Sequence, residues 1–190
     1  MANMYDYLGK AWKRPRDIPD WNQRLIQLRK EPTTFKIEKP TRLDKARAIG
    51  YKAKQGFIVV RQKTIKGGHR RDALIGGRRS AHSYMTMSLR KSYQVIAEER
   101  VQRMFPNLLV LNSYYLAEDG KNKWFEVILI DPCHPQIKND SHLKNLCEIK
   151  HRSRVYHGKT SAGRKMRGLR RKGKGAEKMR PSRRAHLRKG

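Results

Sequence analysis

Cysteine is nearly absent from this chain: Cys133 and Cys147 are the only two in 190 residues. So sparse a pair reads as reduced thiols rather than a disulfide framework. Long apolar runs are missing as well, and none approaches the roughly 18 residues that a membrane-spanning helix requires. No Lys-rich amphipathic helix stands out, so a membrane surface is a poor fit. The opening Met1–Asp6 has no apolar signal region, and an intracellular location is expected. Acidic residues are the third scarcity. Only 16 Asp and Glu face 46 Lys and Arg, for a net charge of +30. That imbalance points to a polyanionic partner, nucleic acid above all.

The charge is not spread evenly. Ser92–Asp131 carries six acids against four bases, so the excess lies entirely outside it. This nearly neutral stretch is also where a core can form. Leu89, Tyr93, Ile96, Ala97, Val101, Met104 and Phe105 recur at helical spacing, with Ser88 as a candidate N-cap and Pro106 as the stop. Two apolar runs follow, Leu108–Leu116 and Trp124–Ile130, joined through Asp119-Gly120, a dipeptide suited to a tight hairpin turn. A two-residue turn sets Glu118 opposite Lys121 and Tyr115 opposite Trp124; a longer loop through Lys121 and Asn122 is the alternative. Neither run alternates apolar with polar, which predicts a sheet covered on both faces.

Earlier elements supply the covers. Tyr5–Trp12 reads as a short aromatic-bearing helix. Asp20, with Gln23 as its capping-box partner, opens a helix carrying Trp21, Leu25 and Leu28 on one side. Thr33–Lys39 is a candidate extended piece. Thr41 and Asp44 open a helix over Arg42–Ile49 that Gly50 ends. Gly56–Arg61 is β-branched and compact, the third strand of an α+β sheet, and a short helix is expected over Ser141–Glu148.

Two basic regions flank this body. Lys66–Ser83 sets paired glycines beside paired arginines twice, Gly67-Gly68-His69-Arg70-Arg71 and Gly76-Gly77-Arg78-Arg79. Glycine lets backbone approach a ligand and arginine offers forked donors to phosphate oxygens. The tail from Lys150 to Gly190 holds seventeen Lys and Arg against one acid, Glu177. So little apolar surface cannot offset its ordering entropy, so it is expected to stay disordered until bound, with a helical turn near Thr160–Leu169. The expected organisation is a globular body over 1–149, including the loop at 66–83, and an RNA-binding extension over 150–190. Candidate phosphate-contacting residues in the body are His69, Arg70, Arg71, Arg78, Arg79, Lys52 and Lys54. Those in the tail are Arg152, Arg154, Arg164, Lys165, Arg167, Arg170, Arg171, Lys172, Arg183 and Arg184.

Other chemistries fit less well. Cys133, His134, His142, Cys147 and His151 lack the close ligand pairs of a structural zinc site, so no metal or other cofactor is expected. Gly158-Lys159-Thr160 echoes the end of a Walker A loop, but Ser153 stands where its first glycine belongs. Ser88-Leu89-Arg90-Lys91 has the Ser-x-x-Lys form of some acyl enzymes without their companion motifs. A nuclease would have to gather Glu98, Glu99, Glu126 and Asp131, and no spacing requires that. These acids read as solvated or paired with arginines, and the chain as a non-enzyme.

Four stretches carry a family resemblance: PTRLDKARAIGYKAKQGFIVVR (40–61), IAEER (96–100), LVLNSYYLAEDGKNKWFEVILIDPCH (109–134) and TSAGRKMRGL (160–169). On these the chain resembles the archaeal and eukaryotic ribosomal protein numbered fifteen of the large subunit, a family distinct from the bacterial protein of that number. The likeness runs from Met1 to about Lys172, and the length is closer to an archaeal member. The resemblance implies a small antiparallel sheet with helices on both sides and no catalytic residues. It also implies a cytoplasmic place in the large subunit, with ribosomal RNA and neighbouring ribosomal proteins as partners and no small-molecule substrate. A chromatin-type DNA-compacting protein is the alternative that charge alone allows.

Overall fold

In the computed structural model the apolar runs pair into one antiparallel sheet, and everything else is arranged to keep water off it. The structure describes residues 3–67, 69–70, 76, 86–87, 89–171 and 173–187. Strands β1 (Thr34–Ile37), β2 (Phe57–Ile65), β5 (Leu109–Glu118) and β6 (Asn122–Ile130) form it in the order β1-β2-β6-β5. Strands β3 (His69–Arg70) and β4 (Thr86–Met87) pair separately, at the base of the Gly/Arg-rich segment. Within that segment, residues 68, 71–75 and 77–83 lie outside the described residues.

The covered-sheet expectation is met in β6, where every residue from Trp124 to Ile130 is buried. Helix α4 (Tyr93–Met104) packs on β2, β5 and β6. Its Val101 joins Val60, Val110, Val127 and Leu129 on one face. The opposite face gathers Ala46 of α3 (Leu43–Ala48) and Ile137 of α5 (Pro135–Lys138) against Leu109, Leu111, Ile128 and Ile130. Farther along, Leu28 of α2 (Trp21–Lys30) packs with Leu116, Ala117 and Trp124, flanked by Trp12, Trp21 and Leu25. Helix α1 (Met4–Ala11) lies against α3, and α6 (Ser161–Met166) against α4 and β5.

Several local expectations are corrected. The hairpin takes the longer loop through Lys121 and Asn122: four residues, Asp119–Asn122, separate its last paired positions, and the Asp119 carboxylate accepts from the Lys121 and Asn122 amides. Glu118 therefore faces Lys123, with which it also forms an ion pair at 3.0 Å, and Tyr115 faces Phe125. Bulges follow Val110 and Tyr115 in β5, so Leu111 and Leu116 are extra residues and both turn inward. This is how an unbroken apolar run satisfies two faces: a bulge re-aims side chains that strict alternation would misplace. Ser92, not Ser88, caps α4, accepting from the Val95 amide. Asp20 precedes α2 in a left-handed conformation, with φ of 56°, and makes no side-chain cap. Thr41 does not cap α3, its hydroxyl being committed elsewhere. The short helix expected over 141–148 is a 3-10 turn at Lys144–Cys147, preceded by the four-residue helix α5. The helical turn near 160–169 is α6, capped by Thr160.

Gly56 shows why one glycine is required. Its φ is +88°, and a Cβ there would stand 2.6 Å from the Ile137 side chain, so α5 closes on β2 only over glycine.

Candidate nucleic-acid interface

The interface is defined first by where the few acids go. Glu126, in the middle of β6, is fully buried. It accepts from the Thr41 amide at 3.0 Å, the Thr41 hydroxyl at 2.5 Å, Arg61 Nη2 at 3.1 Å and the Tyr114 hydroxyl. Arg61 also donates to both Glu31 oxygens, at 2.6 and 2.8 Å. Burial opposes the Arg61 charge, but Glu31 and Glu126 outweigh it and hold the guanidinium above its usual basicity. Burial, followed by the Glu126 charge, pushes the Tyr114 hydroxyl far above its ordinary value.

Glu98, on α4, is equally buried but meets hydroxyls. Ser113 Oγ donates to Oε1 at 2.5 Å and Thr160 Oγ1 to Oε2 at 2.6 Å. Burial pushes its carboxyl up, opposed by the two hydroxyls and the nearby Arg154 charge. Thr160 in turn accepts from the Gly163 amide at 3.1 Å, so the start of α6 is tied to α4 through a single side chain. Asp140 accepts from Lys52 at 2.6 Å and Lys54 at 2.7 Å, and these ammonium groups hold its carboxyl well below the usual range. Glu126 is thus paired with an arginine, as expected, whereas the solvation expected for it and for Glu98 is corrected. Both are sealed in, on opposite faces of the sheet, and they share no site.

The basic residues named from the sequence fall into distinct settings. Lys52 and Lys54 converge on Asp140 while remaining partly exposed. Arg154 is half-buried: Nη1 donates to the Val110 and Leu111 carbonyls at 3.3 and 3.4 Å, and burial pulls its basicity down against the Glu98 charge. Arg167 Nη1 donates to the carbonyls of His157 and Gly158, each at 3.3 Å. Arg170 donates to Ser161 Oγ. Arg152, Arg164, Lys165, Arg171, Arg183 and Arg184 are exposed. His69 and Arg70 lie in the short β3–β4 ladder; Arg71, Arg78, Arg79 and Lys172 lie outside the described residues.

Arg154, Arg164 and Arg170 do come together. With Asn112, Lys159, Ser161 and Leu169 they line an open cleft of about 380 Å³ that has no carboxylate in its wall. Four cations around amide and hydroxyl groups suit a phosphate backbone. The sequence reading missed Lys159 and Asn112. Lys159 was visible only as one more base of the tail, and Asn112 as a polar residue inside an apolar strand.

Further features bear on function class. Among the described residues no three of His, Cys, Asp and Glu gather in a way that could hold a metal ion. No described helix is long and apolar enough to cross a membrane. Cys133 and Cys147 are free thiols.

Comparison with known proteins agrees with this geometry. The family model described as Ribosomal L15, of the L15e type, matches residues 3–186. The large ribosomal subunit protein eL15 of Methanocella arvoryzae is 51% identical over 195 aligned positions, covering 100% of this chain and 99% of the relative. A full-length match at that identity, on a covered antiparallel sheet with a cation-rich exterior, places the chain in the ribosomal L15e family.

Proposed function

We propose that this chain is a structural constituent of the large ribosomal subunit, working in the cytoplasm by binding and stabilising folded ribosomal RNA. The observation that carries this is the sorting of charge. Glu126, Glu98 and Asp140 are closed into the body by hydrogen bonds and ion pairs, while most of the described arginines and lysines are exposed. A scaffold so built presents an almost unopposed positive surface without placing repulsion inside its core. Family membership names the polyanion. Ribosomal proteins beside it in the subunit are its other partners.

The work is done by position and charge, not by catalysis. Exposed cations such as Arg164, Lys165, Arg170 and Arg171 replace diffuse counterions between closely packed phosphates, and release of those ions supplies much of the affinity. Lys66–Ser83 and the tail from Lys150 supply the reach between RNA helices. Recognition is by shape and backbone, since the A-form major groove is too narrow for side chains to read.

Lysate fractionated on sucrose gradients at physiological and high salt tests this. The chain travels with large subunits and resists the salt wash; recovery with DNA, or free at the top, overturns the reading. Replacing Arg70, Arg71, Arg78 and Arg79 together by Ala impairs incorporation while leaving the core folded. Normal incorporation of that variant removes the role given to the loop.

A further inference from the structure

A second cleft, far in sequence from the tail, has a different chemistry. It lies between α1 and α3 and measures about 490 Å³, with Tyr5, Trp12, Lys10, Lys13, Lys45, Arg42 and Asp44 in its walls. The α1 sequence places Tyr5, Gly9 and Trp12 along one face at helical spacing. The Arg47 guanidinium of α3 already lies over one face of the Tyr5 ring, 5.8 Å from its centroid, leaving the other face for a base. Lys10, Lys13 and Lys45 are exposed around the rim, and none has an acidic partner among the described residues. Asp6 is occupied in the α1 capping box, with its carboxylate on the Asn3 amide at 2.9 Å.

The inner wall has unused hydrogen-bonding capacity. Arg42 Nη2 donates to Asp44 Oδ2 at 3.1 Å, and the two side chains are 11% and 8% exposed. Yet Arg42 Nε and Asp44 Oδ1 have no hydrogen-bond partner among the described residues. One free donor beside one free acceptor matches the edge of a nucleobase, which offers both. A buried polar atom left unpaired is costly, so two in one wall call for a ligand. Arg42 also lies over Trp12, 4.9 Å from its ring centroid.

Phosphate alone would not need the aromatic walls, and an aromatic pocket alone would not need three unpaired lysines. Together they fit a nucleotide. We infer that the α1–α3 cleft seats one unstacked nucleotide of the RNA, its base against Tyr5 and its flanking phosphates on Lys10, Lys13 and Lys45. Single bases turned out of RNA helices are commonly held this way, on aromatic faces with their edges hydrogen-bonded. Both unpaired atoms are closed off from solvent in the free chain, so the Arg42–Asp44 pair turns toward the base as it enters. The inference rests on the ribosomal reading above and adds a specific seat to its general phosphate contacts.

Gly9 makes the seat testable without changing charge. A Cβ at Gly9 would meet only Asp44 Oδ2, at 3.8 Å, so Ala fits, whereas a longer side chain stands in the cleft. Large subunits isolated from cells expressing the chain are irradiated with ultraviolet light, and peptides containing Tyr5 or Trp12 are searched by mass for an attached nucleotide. The expected result is a cross-link in the wild type and in Gly9→Ala that is lost in Gly9→Leu. No nucleotide on either aromatic, an attached polypeptide instead, or a cross-link unchanged in Gly9→Leu overturns the seat. Should Gly9→Leu be left out of subunits, the wild-type cross-link decides alone. A chain absent from large subunits refutes the ribosomal reading; a chain present but not cross-linked refutes only the seat.

Discussion

Glu126 and Glu98 are carboxylates closed off from water on opposite faces of one sheet, and the chain accommodates them in different ways. Glu126 is paired with a guanidinium that a second acid, Glu31, helps to hold. Glu98 has only hydroxyls in hydrogen-bond contact, with Arg154 acting from farther off, and burial pushes its carboxyl up. The first arrangement binds residues 31–61 to the sheet, the second binds the segment after Val155. A buried acid can therefore serve as a fastener in either form, but the ionic one is less tolerant of losing a member.

That contrast can be broken directly. Glu126→Ala leaves Arg61 buried with one acid instead of two and strands the Tyr114 and Thr41 hydroxyls. A loss of about 3 kcal/mol in denaturant unfolding is expected. A loss below about 1 kcal/mol would show that Glu31 alone satisfies Arg61. Gly163→Ala probes the other fastener sterically. Its Cβ would lie 2.6 Å from Gly158 Cα, backbone against backbone, so α6 must lift. About 1–3 kcal/mol is expected, together with faster proteolysis between Val155 and Met166.

Glu98→Gln tests the hydroxyl-held fastener, since an amide can keep a partner for each hydroxyl; the expected cost at neutral pH is about 1 kcal/mol. Its pH signature is more telling. A carboxyl raised in the folded state binds more protons folded than unfolded, so wild-type stability rises as pH falls from neutral toward the ordinary Glu range. Glu98→Gln loses that rise, and an unchanged slope would remove the assignment. Asp140→Asn is the smallest effect, at most about 1 kcal/mol, because Lys52 and Lys54 are 47% and 29% exposed. The Asp140 carboxyl is lowered in the folded state, so its contribution is present above the ordinary Asp range and fades as pH falls through the lowered value. Unfolding measured across that window, with and without the substitution, checks the sign.

Apolar patterning made the body legible. Leu108–Leu116 and Trp124–Ile130 read as paired strands, and their lack of alternation gave the covered sheet. Register was not legible, because the Asp119 side chain, bonding the two amides ahead of it, decides the loop length. Capping was misread at Thr41 because its hydroxyl is drawn to Glu126, 85 residues away, and no local rule contains that partner. A signal did exist: Glu126 is a lone acid amid buried residues, and such a group requires a network. The tail was legible as charge and as one helical turn, α6, but its expected disorder before binding was not met over the part that packs on the body. Its first third contains Val155, Thr160 and Ala162, all buried, and three residues among many bases leave almost no trace in composition. In the cationic cleft, Arg154, Arg164 and Arg170 were named individually, but nothing in their spacing said that they would meet Asn112 of β5.

Strand β5 is the outer strand of its sheet, and the backbone groups along it are occupied by side chains. Gln102 accepts from the Val110 amide, Arg154 donates to the Val110 and Leu111 carbonyls, and Gln94 donates to the Ser113 carbonyl. An apolar edge such as Leu108–Leu111, left open, would invite a strand from another copy and start aggregation. With those groups already engaged, the Val110–Ser113 stretch of that edge is a poorer template in a newly made chain waiting for its RNA. Arg154 thus acts as a gatekeeper for solubility, guarding the protein through the interval when its charge is still uncompensated.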